Sequence, residues 1–170
     1  NDIIHNILNG KIHSMGELQK NTSLLGVDIN GSYRVIVFGM TNESMARGDF
    51  KAKVKDIDVL SDLIRSRISK AKIHNDLDKI VVIQEVEREQ TQEEYRKSIK
   101  KIAEQVQADV ARYNKYLKIK AGAGRVVDDI INLPESFKEA NEAFMFVDVA
   151  GETPEDGGPQ VMLFADLGIF

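Results

Sequence analysis

The chain has 170 residues, 42 % apolar and 29 % charged, and its 23 basic against 27 acidic side chains leave a net charge of −4. That length suits one domain, which buries about 70 % of the surface its unfolded chain would expose, so a core without covalent staples is feasible. Zero cysteines exclude disulfides, thiolate catalysis, Cys-ligated zinc and iron–sulfur clusters, and a mildly acidic, mixed-sign chain is a poor binder of nucleic-acid backbones.

In chain order, residues 1–9 carry Ile3, Ile4, Ile7 and Leu8 on one helical face, and Gly10 suits the stop. Ser14 opens a second short helix with Glu17 three places on as a capping box. Leu18, Leu24 and Leu25 are its expected apolar contacts, and Gly26 ends it. Tyr33–Met40 is β-branched, aromatic and almost continuously apolar, the pattern of a central strand covered on both faces. Residues 41–50 read as a polar loop. A helix over 54–69 follows, with Ile57, Leu60, Ile64 and Ile68 at helical spacing.

A strand at 71–74, a turn at 75–78 and a strand at 79–85 form a hairpin whose second arm holds Ile80-Val81-Val82-Ile83. Thr91 with Glu94 starts a long helix. Tyr95, Ile99, Ile102, Ala103, Val106, Val110 and Tyr113 form its apolar stripe, while Lys97, Lys100, Lys101, Glu104 and Asp109 make a solvated face. Residues 116–122 read as a strand, and Leu133-Pro134 introduces a helix with Phe137, Ala140, Phe144 and Val147 in register. Residues 151–160, rich in Gly and Pro, should be a mobile surface loop before a last strand at 161–165. Helices followed by β-α-β-β-α-β-α-β predict an α/β sandwich with a mixed central sheet.

Metal-dependent nucleotidyl transfer needs at least two carboxylates at strand ends to hold Mg²⁺ against phosphate oxygens. Residues 33–42 contain no Asp or Glu; Glu43 is the first acid, already in the loop. The hairpin offers Asp76 and Asp78, but Lys79 follows at once and weakens the local negative field. Ala121-Gly122-Ala123-Gly124 has the wrong length for a P-loop and reads better as small residues that let a strand pass close beneath a helix; Arg125 beyond it is a candidate for an anionic ligand. His5, His13 and His74 share no ligand spacing and read as exposed or interface residues. Phe137 and Phe144 read as core, whereas Phe146 falls off their stripe and marks a contact surface. The N-terminal apolar face either packs on this domain's own sheet or forms a dimer contact or connector helix.

Ile4-His5-Asn6-Ile7-Leu8-Asn9-Gly10-Lys11, Glu17-Leu18, Leu24-Leu25-Gly26-Val27-Asp28 and Tyr33-Arg34-Val35-Ile36-Val37 resemble the middle region of PucR/CdaR-type bacterial transcriptional regulators. Ala121-Gly122-Ala123-Gly124-Arg125 stands where that family has a Gly-x-Gly strand end. Leu133 with Ser136-Phe137-Lys138-Glu139-Ala140-Asn141-Glu142-Ala143 resembles its Ser-Tyr-x-x-Ala-x-x-Ala helix, and Val161 with Phe164-Ala165-Asp166-Leu167-Gly168 its closing strand. The resemblance implies a GGDEF-like domain, a degenerate relative of the nucleotidyl-cyclase fold. Where active cyclases carry Gly-Gly-Asp-Glu-Phe, this chain has Asp76-Leu77-Asp78-Lys79-Ile80, and the first-strand metal aspartate is missing too.

The resulting expectation is a non-catalytic regulatory and dimerisation domain, with residues 1–26 as connector or dimerisation helices and 27–170 as the GGDEF-like body. No catalytic, cofactor-binding or metal-ligating residue is assigned, and no cofactor. The expected partners are a second copy, possible small-molecule effectors, and DNA only through a helix-turn-helix beyond this fragment. A cytoplasmic location away from membranes is expected, because no apolar run approaches the ~18–20 residues of a membrane span. The rival expectation is a nucleotide-binding or cyclase-like enzyme using Asp76, Asp78 and Glu43 in a rearranged metal site.

Overall fold

Every residue of β1, Ser32–Met40, is buried, so the strand needs covered faces and paired edges. The computed structural model describes residues 2–46, 48, 50–150, 154 and 156–168 and supplies both. β2 (Lys72–Asp76) and β3 (Lys79–Val86) form the hairpin, β4 (Ile119–Ala123) lies on the other side of β1, and β5 (Gln160–Leu163) is the far edge. The sheet order is β2-β3-β1-β4-β5, antiparallel except for the β4–β5 pair. It is the mixed sheet expected.

Strand alternation splits the core in two. On one face Ile36, Phe38, Met40, Ile80, Val82 and Ile119 meet Ile57, Leu60 and Ile64 of α4 (Phe50–Arg67) and Ile99, Val106 and Val110 of α5 (Gln92–Tyr113). On the other, Tyr33, Val35, Val37, Val81 and Ile83 meet Ile4, Ile7 and Leu8 of α1 (Asp2–Leu8), Leu18 of α2 (Met15–Leu25), and Ala140 and Phe144 of α6 (Leu133–Ala150). The N-terminal apolar face therefore packs on the chain's own sheet. Each buried Ile, Leu or Phe contributes about 1.5–3 kcal/mol through lost water contact.

Local chemistry sets the helix ends. Ser14 Oγ accepts the Glu17 N–H at 3.1 Å, and Gly26 closes α2 at φ 70°. Thr91 and Glu94 make the full reciprocal capping box on α5. Gln107, buried on α5, donates to the Leu117 carbonyl and accepts the Ile119 N–H, which fixes where β4 begins.

Several boundaries move. The 41–50 segment contains a one-turn helix, α3 (Asn42–Met45), because the Thr41 hydroxyl accepts the Ser44 N–H and its carbonyl the Met45 N–H. The hairpin turn is Leu77-Asp78, since Asn75 and Asp76 remain paired with Ile80 and Lys79. β4 starts at Ile119 rather than 116, with Tyr116 exposed before it, and β5 ends at Leu163 in a 3-10 turn, Phe164–Asp166. Leu24 is largely exposed at the last turn of α2, and Tyr113, partly exposed at the end of α5, donates its hydroxyl to Asp56 Oδ1 of α4 at 2.8 Å. Of the expected loop at 151–160, residues 151–153 and 155 lie outside the described ones.

Candidate functional site

The C-terminal end of β1 and the β2–β3 turn meet at one end of the sheet, because Phe38 pairs antiparallel with Ile80. One step on, Gly39 lies between Lys79 of β3 and its registered partner Lys120 of β4, all three on the α6 side. Gly39 offers no side chain, and the Phe144 ring takes that space: a methyl on Gly39 would stand 2.7 Å from Phe144 Cζ. Lys120 Nζ is 4.5 Å and Lys79 Nζ 5.4 Å from the centroid of that ring, so two ammonium groups flank one aromatic ring. Lys120 is only 4 % exposed, and its Nζ bonds Asp148 Oδ2 at 2.5 Å, the partner a buried cation needs.

This donor set is wrong for divalent metal. β1 brings no carboxylate, Asp76 and Asp78 sit exposed at the hairpin tip, and Asp148 is engaged by Lys120. Among the described residues no three His, Asp or Glu side chains converge as a metal-binding group, so Glu43, Asp76 and Asp78 do not form the rearranged site considered above. The residues present do not fit the Mg²⁺ pair of a nucleotidyl-transfer centre, which requires clustered anionic oxygens.

The glycine segment does what small residues suggest. A Cβ on Gly122 would lie 2.6 Å from the Ala140 carbonyl oxygen and 2.7 Å from Phe144 Cα; one on Gly124 would lie 2.6 Å from Ser136 Oγ. Here α6 rests on strand backbone. Ser136, fully buried, accepts the Val35 N–H at 2.9 Å and donates to the Arg125 carbonyl at 2.8 Å. Arg125 does not await an anionic ligand: its Nε and Nη2 both bond Glu139 Oε2, at 3.0 and 2.6 Å, and its guanidinium stacks 5.2 Å from Phe164. The Glu139 carboxylate holds the Arg125 pKa above its ordinary value.

Two residues that matter here escaped sequence reasoning. Lys120 sits inside an otherwise apolar strand, and that interruption was its only signal. Arg34 likewise interrupts β1, is 2 % exposed, and bonds Gln84 Oε1, the Tyr95 carbonyl and Ser98 Oγ at 2.7, 3.0 and 2.6 Å. Burial pulls its pKa down to about 10, because no acid is among those partners. It ties α5 to the central strand.

His5 and His74, apart in sequence, are brought together: their ring centroids are 5.9 Å apart. Phe144 is core as expected, Phe137 half-buried, and Phe146 exposed beside Met145 and Val149 on the outer side of α6. A cleft of about 420 Å³ opens beside β5, bordered by Lys100 and Glu104 of α5, Val147 of α6, and Gln160 and Met162. No described helix is long and apolar enough to cross a membrane. Against known families, the model described as a GGDEF-like domain matches residues 9–145. No curated protein matches the chain.

Proposed function

Since the chain belongs to the GGDEF-like domain family, we propose that it is a non-catalytic regulatory and dimerisation domain of a PucR/CdaR-like bacterial transcriptional regulator. In this reading residues 1–26 connect to neighbouring parts of the regulator, residues 27–170 form the regulatory body, and DNA is contacted by a helix-turn-helix elsewhere. It works in the cytoplasm as a homodimer, with the exposed Phe146, Met145 and Val149 side of α6 as the contact surface.

The observation that carries this reading is the charge at the strand ends. Where a cyclase needs carboxylates, Lys79 and Lys120 flank Phe144 above Gly39. Two ammonium groups there repel a divalent ion, and the ring fills the space over the central strand. Incubation with GTP or ATP and Mg²⁺ or Mn²⁺ should return only unreacted nucleotide. Turnover that disappears in Asp78→Ala would overturn the reading. Sedimentation at high protein concentration should show a dimer, and a strict monomer would remove the dimerisation role.

A further inference from the structure

α1, Asp2–Leu8, lies with its apolar side on the sheet. Ile4, Ile7 and Leu8 anchor it from beneath. At its rim His5 is exposed, with Nδ1 3.3 Å from Asn9 Nδ2, and its ring lies 5.9 Å from that of half-buried His74, the planes tilted by 53°. His74 belongs to β2, the edge strand, and pairs with Val81, whose side chain lies in the same core cluster as α1. The two rings thus meet across the contact between the N-terminal helix and the sheet edge.

We propose that His5 and His74 form a proton-sensitive clasp, which holds α1 on β2 while both imidazoles are neutral and loosens it when both are charged. Among the described residues the charged groups around His74 are Lys72 and Asp76 on its own strand, Lys79 beside Asp76 on β3, and His5 on α1. Burial is the largest influence and disfavours the proton; His5 acts the same way, and Asp76 opposes them. His74 is accordingly held below the ordinary imidazole value of 6.5. A histidine depressed in the folded state adds stability above its unfolded pKa and loses it as pH falls through the folded one, so the clasp opens on the acid side of neutrality. The device is independent of the regulatory reading, since it concerns how α1 is held and not what the domain does.

The test is an NMR titration of the histidine ring protons combined with amide exchange at pH 7.5 and 5.0, corrected for intrinsic exchange. The N-terminally acetylated chain is used so that the α-amino charge is removed. His5→Gln should raise the His74 midpoint, because one neighbouring positive charge is gone. Protection of the Ile7 and Leu8 amides should fall about threefold or more on acidification while Leu18 of α2 holds, and the fall should vanish in the His5→Gln, His74→Gln double variant. The clasp is overturned if the His74 midpoint ignores His5→Gln. It is equally overturned if α1 protection tracks Leu18, or if its acid loss survives in the double variant.

Discussion

The two faces of the sheet are closed by different physics. On the α4–α5 side, branched aliphatics interdigitate: Ile57, Leu60 and Ile64 against Ile36, Phe38 and Ile80, with side-chain volume between the backbones. On the α6 side helix and strand backbones touch at Gly122 and Gly124, which leave nothing between them, while at Gly39 the Phe144 ring takes the vacant space. The first face tolerates exchange of one aliphatic for another with a graded loss. The second has no slack, and it is also the face that holds Lys79, Phe144 and Lys120 at the strand ends.

The sharpest way to break that contrast is to add one methyl. Gly122→Ala and Gly124→Ala should each destabilise by about 3 kcal/mol or more, since the obstacle is helix backbone and not the tip of a flexible side chain. Elsewhere in a strand, Gly→Ala normally gains about 0.5–1 kcal/mol through lower chain entropy. The sign is therefore diagnostic: a urea melt in which either variant is more stable than the parent would mean that α6 does not rest on β4 as described.

That close packing was partly legible. Ala121-Gly122-Ala123-Gly124 announces that something passes nearby, and Thr91 with Glu94, the Ile57-Leu60-Ile64-Ile68 spacing and the apolar run of β1 each fix an element, because the information is local. The strand-end site was not legible, for a physical reason. Lys79, Gly39 and Lys120 become neighbours only once three strands are in register, and Phe144 reaches them only once α6 has settled on Gly122. The missing carboxylates could be counted from the sequence; the cations that stand there could not. His5 and His74 fall under the same limit, since no spacing rule brings a helix to an edge strand.

On the opposite face a matched change should be milder. Ile64, fully buried between α4 and the sheet, loses one methyl in Ile64→Val, and the cost should be about 1 kcal/mol, within the usual range for that exchange. Measured by the same urea melts with an unchanged slope, the ratio of this loss to that of Gly122→Ala quantifies the difference between volume packing and backbone contact. Equal losses would erase the distinction.

The smallest effect belongs to a place that neither face touches. Leu77, at the hairpin tip, is 92 % exposed yet holds a positive φ of 56°, a conformation that costs an L-residue roughly 1–2 kcal/mol. Leu77→Gly removes that strain and gives up almost no burial, although glycine loses more chain entropy on folding. The net should be a gain of about 0.5 kcal/mol, visible as a slightly higher denaturation midpoint. Glycine thus helps at the tip, where backbone angle is the only constraint, and alanine harms at 122 and 124, where space is. A loss on Leu77→Gly would mean that the leucine side chain makes a contact of its own, and the tip would then have to be counted with the packed faces rather than as their control.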